Sequence, residues 1–471
     1  MSKNKETIDE LLEEVLLPED GQTHEVPANW IWVKSEFVAK WGSGGTPSRK
    51  NSEYYNGNIP WLKTGELRDT VILDSEEKIT EEGLKKSSAK LFPKDSVAIA
   101  MYGATIGKLG ILGIDAATNQ ACAVGVPYAL TDKKFMFYYF LTQRKNLIDK
   151  GKGGAQPNIS QTIIKEFPYI LPPINEQNRI ADKVENLLNK IEEAKQLIEE
   201  AKKSFELRRS AILEKAFRGE LTKKWRGENL KESSDTEVVQ TDKTLYNLPF
   251  NWEWIDLDTV CEKITDGTHH SPKSYPSGDY MYITAKNIKK QGILLDNVTY
   301  VSKEVHQEIY NRCDVKKGDV LYIKDGATTG IATVNQITEE FSLLSSVALL
   351  RPKRNVLAAK YLMYCLNSPS TKSRMLGMIS GNAITRLTLK KIKQGIIPLP
   401  PFDEQEIIVS ILEKVNSVDE QLDCVTNLED NINNLKQSIL SKAFRGELGT
   451  NDPSEESAIE LLKEVLQDQV K

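Results

Sequence analysis

The heptapeptide KAFRGEL occurs twice in this chain, at residues 215–221 and again at residues 442–448. Three other pairs of similar stretches lie N-terminal to the two copies, in the same order and at similar offsets. They are VPANWIWV (26–33) with LPFNWEWI (248–255), GATIG (103–107) with GATTG (326–330), and LPPINEQ (171–177) with LPPFDEQ (399–405). Pairs in constant order and at nearly constant spacing indicate a tandem duplication of a unit of roughly 225 residues.

The two ends of the chain also resemble each other. Residues Glu10–Leu16 read ELLEEVL and residues Glu460–Leu466 read ELLKEVL. One interpretation is that the repeat wraps from the C-terminus to the N-terminus, as expected if the two halves close on each other about a pseudo-twofold axis. The alternative is a pair of unrelated acidic amphipathic helices, and the sequence leaves both open.

Each half changes character at its Leu-Pro-Pro. Before it, short apolar runs between glycines predict strands, as at Ser96–Tyr102 and Asp319–Ile323, and helices are predicted at Lys133–Lys150 and Ala358–Asn367. After it, a long helix is predicted in each half, since Pro-Pro cannot continue a preceding helix. Both helices should end near a glycine, Gly219 or Gly446.

Apolar residues recur at alternating spacings of four and three along both long helices, which is typical of a coiled-coil seam. The fold predicted is therefore two α/β (α+β) domains in tandem, separated by two long helices that form an antiparallel coiled coil. The alternative is two separate helices, each packed on its own domain. The first seam is Ile180, Val184, Leu187, Ile191, Ala194, Ile198, Ala201, Phe205, Arg208 and Ile212, and the second is Ile408, Ile411, Val415, Val418, Leu422, Val425, Leu428, Ile432, Leu435 and Ile439, with a one-residue shift at Leu428.

The net charge of −5 conceals a division along the chain. Residues 26–170 hold 19 basic and 14 acidic residues, and residues 259–400 hold 20 basic and 11 acidic residues, so these blocks carry +5 and +9. The remainder must then carry −19. Two basic blocks set among acidic helices suit nucleic-acid binding, which the overall charge alone would argue against.

The cellular setting follows from what the sequence lacks. No apolar run approaches the ~18 residues that span a bilayer, and the N-terminal residues lack the apolar core of a signal peptide. The five cysteines, Cys122, Cys261, Cys313, Cys365 and Cys424, form no CxxC pair. This argues against a disulfide framework and a cysteine-based zinc site, and predicts a cytoplasmic protein.

No catalytic motif stands out. The proline pairs read LPPI and LPPF, unlike the Asp/Asn-Pro-Pro-aromatic signature of amino-methyltransferases. GATIGK (103–108) is one residue short of a phosphate-binding loop, and Leu109 stands where that loop needs Ser or Thr. The four histidines form no evident metal set. No cofactor or metal site is therefore expected in this chain, and a self-contained methyltransferase or nuclease is disfavoured.

A set of short motifs runs through the chain in a fixed order. They are GGTPSRK (44–50), IPWLKTGEL (59–67), GATIGK (103–108), NQA (119–121), GGAQPNIS (153–160), LPPINEQNRIA (171–181) and the duplicated KAFRGEL. With these motifs the chain resembles, over nearly its full length, the specificity (S) subunit of type I restriction–modification systems. The second half departs from the pattern, reading DGTHHSPK at 266–273 and YITAKNI at 282–288.

The resemblance implies a DNA-binding subunit that is not an enzyme by itself. Each of two target recognition domains would read one half of a bipartite, asymmetric DNA site, and the helices would set the spacer and dock two modification subunits. Those subunits would carry S-adenosylmethionine and methylate adenine, and restriction subunits would add ATP- and Mg-dependent cleavage. The segments predicted are 1–25 (N-terminal helix), 26–170 (recognition domain 1), 171–222 (helical spacer 1), 223–247 (linker), 248–398 (recognition domain 2), 399–448 (helical spacer 2) and 449–471 (C-terminal helical tail).

Polar residues on the glycine-bounded loops are the predicted DNA contacts, the alternative for each being a solvated loop residue or a structural turn. In domain 1 they are Thr46, Ser48, Arg49, Lys50, Lys63, Thr64, Tyr102, Thr105, Lys108, Gln156 and Asn158; in domain 2 they are Thr268, His269, His270, Lys286, Asn287, Lys324, Thr328, Thr329, Thr385 and Arg386. Two other functions remain open at this stage. One is a recognition subunit of a type IIB-like or phage-exclusion system, and the other is a coiled-coil adaptor without a DNA role.

Overall fold

The structure, a computed structural model, describes residues 8–151, 158–229, 245–378, 386–422 and 424–463, with only the backbone described at 8–10 and 417–430. The chain forms two compact units. The first unit comprises Met1–Leu197 and Thr426–Lys471, and the second comprises Ile198–Val425. Among the described helices, none combines the length and apolar character needed to cross a membrane.

The first half of the chain alternates short strands with a few helices up to its Leu-Pro-Pro. In chain order the elements are α1 (Ile8–Val15), β1 (Ile31–Lys34), β2 (Ala39–Ser43), β3 (Tyr55–Leu62), β4 (Thr70–Ile72), β5 (Glu77–Ile79), α2 (Glu81–Lys85), β6 (Leu91–Phe92), β7 (Val97–Ala100), β8 (Leu109–Leu112), β9 (Ala116–Thr118), β10 (Cys122–Pro127), α3 (Lys133–Asp149), α4 (Gln161–Lys165) and β11 (Pro168–Leu171). The strand and helix predicted at Ser96–Tyr102 and Lys133–Lys150 are confirmed as β7 and α3.

These strands form a five-stranded sheet in the order β2-β10-β7-β8-β4, a four-stranded sheet in the order β5-β3-β9-β6, and the pair β1-β11. The neighbours in the first sheet are antiparallel except β4 and β8, and β3 is parallel to β9. All four residues of β7 are fully buried because both faces of this strand are covered. A continuous apolar run without alternation is the pattern expected of such a strand.

The long helix α5 (Ile174–Phe217) leads into the second half of the chain. The following elements are α6 (Lys223–Asn229), β12 (Glu253–Asp256), α7 (Leu257–Val260), β13 (Cys261–Asp266), β14 (Tyr280–Ile283), β15 (Ile288–Lys289), β16 (Gly292–Ile293), β17 (Thr299–Val301), α8 (Lys303–Arg312), β18 (Val320–Ile323), β19 (Ala332–Val334), β20 (Phe341–Leu343), β21 (Val347–Pro352), α9 (Ala359–Asn367), α10 (Pro369–Gly377), α11 (Leu389–Lys393), β22 (Ile396–Leu399), α12 (Phe402–Leu422) and α13 (Cys424–Ala443).

The second half repeats the strand pairing of the first. Its sheets run β13-β21-β18-β19, β17-β14-β20 and β12-β22, which match β2-β10-β7-β8, β5-β3-β9 and β1-β11 in turn. The hairpin β15-β16 is an addition, and among the described residues of the second half no strand pairs as edge strands β4 and β6 do in the first. The tandem duplication predicted from the sequence is therefore confirmed as a duplication of fold.

The long helices begin and end where the sequence predicts. α5 has 44 residues, a length of about 66 Å at 1.5 Å per residue. In place of one second helix the structure has α12 and α13 on either side of Asp423, which lies outside the described residues. The C-terminal glycines Gly219 and Gly446 adopt φ values of +75° and +73°, the left-handed conformation that favours glycine at a helix end.

Most of the predicted seam is buried or half-buried, with three differences, the first being that Arg208 on α5 is exposed. Ile180, Val184 and Ile191 are buried along α5, but Leu435 on α13 is 51% exposed and does not belong to the buried stripe. Near the end of α5 the buried residue is Leu213 instead of the predicted Ile212. The seam positions Val418, Leu422, Val425 and Leu428, including the predicted shift, fall where side chains are not described.

The two helices run in opposite directions through each unit. In the first unit, Arg179 near the start of α5 donates to Thr450 O and to the Glu455 carboxylate, just beyond the end of α13. In the second unit, Arg226 just beyond the end of α5 donates to Glu404 near the start of α12. In each unit the start of one long helix therefore lies beside the end of the other, which is the arrangement expected of an antiparallel pair.

Each long helix ends against the domain of the other half. Phe217 of the first KAFRGEL contacts Tyr361 in the second unit, and Phe444 of the second KAFRGEL contacts Tyr139 in the first unit. This exchange agrees with a repeat that wraps from one end of the chain to the other. Leu12 of α1 and Leu462, both in the first unit, are buried.

The repeated Asn-Trp and Glu-Gln pairs join each Leu-Pro-Pro corner to its domain. Trp30 Nε1 donates to Glu176 Oε2 at 2.8 Å, and Trp252 Nε1 donates to Glu404 Oε2 at 3.0 Å. Both carboxylates are completely buried. A buried carboxylate requires hydrogen-bond donors, which explains why these residues recur together in both halves.

Candidate nucleic-acid interface

In the first unit, five connecting segments meet at one edge of the sheets. These are the segments after β2, after β3 and after β7, the β9–β10 connection, and the segment before α4. The backbone hydrogen bonds that tie them together are Gly45 N–H to Thr118 O (2.9 Å), Asn119 N–H to Leu62 O (2.9 Å), Met101 N–H to Ala121 O (2.8 Å) and Ile159 N–H to Met101 O (2.8 Å). Residues far apart in sequence are thereby brought to one surface, here called the loop edge.

The second unit has the same loop edge, built with the same bonding pattern. The bonds are Thr268 N–H to Leu343 O (2.9 Å), Leu344 N–H to Ile283 O (3.0 Å), Lys324 N–H to Ser346 O (2.9 Å) and Leu387 N–H to Lys324 O (2.8 Å). The pattern pairs residues of the two units as structural counterparts: Ser43 with Asp266, Gly44 with Gly267, Thr46 with His269, Met101 with Lys324, and Gln120 with Ser345. The shared frame therefore carries different side chains in each unit.

Close backbone contact explains the glycines of this edge. A Cβ on Gly44 would lie 2.0 Å from Thr118 O, and one on Gly267 would lie 1.8 Å from Leu343 O. The two GAT-x-G stretches are tight turns between strands, because Gly103, Gly107, Gly326 and Gly330 all have positive φ. The resemblance of GATIGK to a phosphate-binding loop thus has a structural explanation.

Arg49 and Lys63 of the first unit lie together on one carboxylate. Arg49 Nη1 donates to Glu77 Oε2 at 2.7 Å and Lys63 Nζ to Glu77 Oε1 at 2.9 Å. These hydrogen bonds hold the pKa of Glu77 below its ordinary value. The Arg49 guanidinium also lies 4.5 Å from the Tyr55 ring centroid, so it is fixed on the surface with its side chain 55% exposed. Lys63 Nζ also lies 3.6 Å from Glu76 Oε2, so the two cations face two carboxylates.

The remaining predicted residues of domain 1 fall into two groups. Lys108 Nζ donates to Asp69 Oδ2 at 2.9 Å, and Arg144 binds the same carboxylate, so Lys108 is held in an ion pair. Burial opposes ionisation of Asp69, but hydrogen bonds from Lys108 and the Leu109 N–H outweigh it and lower its pKa. The others are exposed (Ser48, Lys50, Asn158) or half-buried (Thr46, Thr64, Tyr102, Thr105), and Gln156 lies outside the described residues.

Three predicted contacts of domain 2 are buried and have structural roles. Lys324 is 2% exposed and pairs with Asp266 at 3.1 Å. Thr329 Oγ1 donates to Gly326 O at 2.6 Å within its turn, and Asn287 Nδ2 donates to Leu294 O at 3.2 Å. Because these side chains are engaged inside the domain, their placement argues against direct DNA contact. Lys324 follows the end of β18, and a strand end that is covered from both sides buries its side chain, which the local sequence does not show.

The other predicted residues of domain 2 are accessible. His269, His270, Lys286, Thr328 and Arg386 are exposed, and Thr268 is half-buried. Thr268 Oγ1 accepts from the His270 N–H at 3.2 Å, which shapes the loop after β13. Arg386 lies 3.6 Å from the Asp325 carboxylate. Thr385 is outside the described residues.

Sequence reasoning missed three residues at the loop edges. Gln120 is exposed, and its Oε1 accepts a hydrogen bond from Thr46. Ser345, its counterpart, is half-buried. The NQA motif at 119–121 was a signal for Gln120, but no local pattern marks Arg312, the last residue of α8, which reaches the second loop edge from a distant segment. No group of three or more metal-binding side chains occurs in the described chain.

The sequence model of the type I restriction modification DNA specificity domain matches this chain at residues 27–203 and again at 249–433. The chain belongs to this family. Each match covers one set of loop-edge segments together with part of the long helix that follows it. The resemblance inferred from the motifs is thereby confirmed, and so is the prediction of two such domains in tandem.

Two characterised relatives align along nearly the whole chain. The MjaIX specificity subunit of a type I restriction enzyme from Methanocaldococcus jannaschii is 25% identical over 442 residues, covering 90% of this chain and 92% of the relative. The EcoBI specificity subunit from Escherichia coli is 26% identical over 432 residues, covering 89% and 86%. Both halves of this chain therefore have counterparts in single specificity subunits.

Solved structures show the same fold. One chain, from a study titled "Structural basis underlying complex assembly and conformational transition of the type I R-M system", has a TM-score of 0.67, with 22% identity, 90% coverage of this chain and complete coverage of its own. The HsdS subunit from Thermoanaerobacter tengcongensis has a TM-score of 0.56 with 20% identity, covering 90% of this chain and 99% of its own.

Proposed function

We propose that this protein is the DNA specificity subunit of a type I restriction–modification complex, in which each unit reads one half of a bipartite, asymmetric site. One observation carries the proposal: both units present the same loop edge on the same backbone frame, but with different polar residues. A common frame suits a common task, and different side chains suit different base sequences. Family membership supports the same conclusion.

The basic character of the two blocks supports DNA binding through its electrostatics. Lysine and arginine on the loop edges would neutralise phosphates, which contributes affinity but no sequence information. Polar groups such as Gln120 and Thr46 in the first unit, or His269 and His270 in the second, would contact base edges. Thr46 and Gln120 fix each other by a hydrogen bond, so their orientation is set before DNA binds.

We further propose that the subunit is the non-catalytic component and that chemistry is supplied by its partners. Two modification subunits would bind S-adenosylmethionine and methylate adenine after extruding it from the duplex. Restriction subunits would use ATP and Mg²⁺ for translocation and cleavage. The long helices would dock the modification subunits and set the DNA spacer, and α5, at about 66 Å, exceeds one ~34 Å turn of DNA.

A gel-shift experiment tests this function. The purified chain is mixed with randomised duplex DNA, with and without the modification subunit, and the retained DNA is sequenced. The proposal predicts selection of a two-part motif with a fixed spacer when the modification subunit is present. Retention of DNA without sequence selection would contradict it, and failure to bind DNA in either mixture would favour the adaptor function.

A further inference from the structure

A buried carboxylate lies beneath the loop edge of the second unit. Asp266, at the end of β13, is 1% exposed. Its Oδ2 pairs with the buried Lys324 Nζ at 3.1 Å, and its Oδ1 accepts a hydrogen bond from Arg312 Nη2. Two cations share one carboxylate, so this cluster keeps an excess positive charge at a surface proposed to meet DNA.

Arg312 is held in place but remains accessible. Its side chain is 49% exposed, although Nη2 is bound to Asp266 and lies 3.0 Å from His269 Nε2. The same His269 Nε2 lies 3.3 Å from Asp266 Oδ1, so His269 belongs to this cluster. Within the described residues, the hydrogen bonds and ion pairs of Arg312 involve only Asp266 and His269, both at Nη2, so Nε and Nη1 are not engaged there. Nε–H and Nη1–H point to opposite sides of the guanidinium, so a parallel pair of donors toward one ligand consists of Nη1 and the Nη2 hydrogen that His269 would release. A guanidinium fixed at one end and open at the other is prepared to bind a ligand with acceptor atoms.

The first unit lacks this cluster at the corresponding positions. Ser43 is the counterpart of Asp266, and Met101, 7% exposed, is the counterpart of Lys324. A contact to phosphate carries no sequence information and would serve both units alike. A cluster present in only one of two duplicated units is instead what differing base recognition requires.

From this arrangement we propose that Arg312, oriented by Asp266 and flanked by His269, binds the major-groove edge of a guanine in the half-site read by the second unit. The inference rests on the proposed function and names one of its contacts. Guanine presents two acceptors there, O6 and N7. Adenine presents one acceptor, N7, beside the N6 donor, cytosine presents a donor, and thymine presents one acceptor and a methyl group. Arginine has only donors, so guanine is its complement.

The test compares Arg312→Lys and Arg312→Ala with the unchanged chain, each in complex with the modification subunits. Arg312→Lys keeps the charge but loses the planar fork, and Arg354→Lys, an exposed arginine in the turn before α9, is the matched control. Randomised duplex DNA is selected on each complex, adenine methylation is mapped on genomic DNA, and thermal unfolding checks that the variants are folded.

The expected result is that both Arg312 variants lose the preference for one guanine by about ten- to a hundredfold. All other positions, including the whole half-site of the first unit, and the control should stay unchanged. The inference would be overturned by an unaltered motif or by relaxed selection at a position other than guanine. It would also be overturned if binding weakened equally on all sequences with a smaller salt dependence, which would indicate a phosphate contact. If the unchanged complex selects no sequence, the proposed function itself fails.

Discussion

Phe217 packs edge-on against Tyr361, with ring centroids 5.3 Å apart, although the two residues belong to different copies of the repeat. Phe444 stands in the same relation to Tyr139 at 5.4 Å. Phe217 is completely buried and Phe444 nearly so. Each KAFRGEL therefore completes the core of the domain encoded in the other half, which accounts for the identity of the two heptapeptides.

Replacement of either phenylalanine should destabilise one unit only. Phe217→Ala is expected to destabilise the domain at residues 245–399, and Phe444→Ala the domain at residues 26–171. In each case the free energy of local unfolding should fall by about 3–5 kcal/mol, because a large buried side chain is lost. Hydrogen exchange measured by mass spectrometry would locate the effect. Leu207→Ala, at a 73% exposed position of α5, is the control. Faster hydrogen exchange in the domain encoded by the same half of the chain as the replaced phenylalanine would contradict this arrangement.

The features that the sequence revealed are those whose structural role is local or repeated. The turn glycines, the Leu-Pro-Pro corners and the helix ends at Gly219 and Gly446 depend on backbone conformation, which local sequence encodes. The structure differs from the prediction at Lys324, which is buried, and at Leu435, which is exposed, because burial depends on distant partners. Lys324 looked like a loop cation, yet it lies against Asp266, a residue 58 positions earlier in the chain. Arg312 escaped notice for the same reason.

The two buried glutamates should respond differently to the same substitution. Glu404 accepts from Arg226, whose side chain is 10% exposed, so Glu404→Gln leaves a buried cation unpaired and should cost about 3–5 kcal/mol. Glu176 accepts from the neutral donors of Trp30 and Asn451. Burial raises the pKa of Glu176, so its charge is already disfavoured and Glu176→Gln should cost less than about 1 kcal/mol. Urea unfolding of the full chain measures both, and equal losses would refute the distinction.

Acid should remove the contribution that the Asp314 carboxylate makes to the free energy of unfolding. Burial opposes its ionisation, but Lys263, 2.7 Å away, and Arg351 outweigh this and lower its pKa to about 2. Because the unfolded value is about 3.9, the stabilisation is present above pH 4 and is lost as the pH falls toward 2. Asp314→Asn should therefore cost about 2 kcal/mol at pH 7 and pH 5 and less at pH 3.

Urea unfolding at these three pH values checks that prediction. Asp296→Asn, at an exposed position of the same unit, serves as the control and should change stability little at any pH. A cost for Asp314→Asn that is the same at pH 3 as at pH 7 would show that the ion pairs do not depend on this carboxylate.

The length of α5 should determine the DNA spacer. Insertion of four residues after Glu192 adds about one helical turn, ~6 Å, with little rotation at 3.6 residues per turn. The spacer is then expected to lengthen by one or two base pairs while both half-sequences persist. Methylation mapping in cells carrying the insertion measures it. An active complex with the original spacer would refute a role for the helix in spacing.

A fragment of residues 1–227 should form a dimer of a defined kind. In the full chain, residues 426–463 complete the first unit, and Phe444 fills its core beside Tyr139. The fragment lacks these residues but carries an identical KAFRGEL at 215–221, so a second copy can supply it, and the exposed seam of α5 favours the same association. With modification subunits, such a dimer should read an inverted repeat of the first half-site. Light scattering reports the dimer, and methylation mapping reports the palindromic site. A folded monomer would count against the antiparallel pairing of the helices. A dimer that still read the asymmetric site would show that the half-sites are assigned to the wrong units.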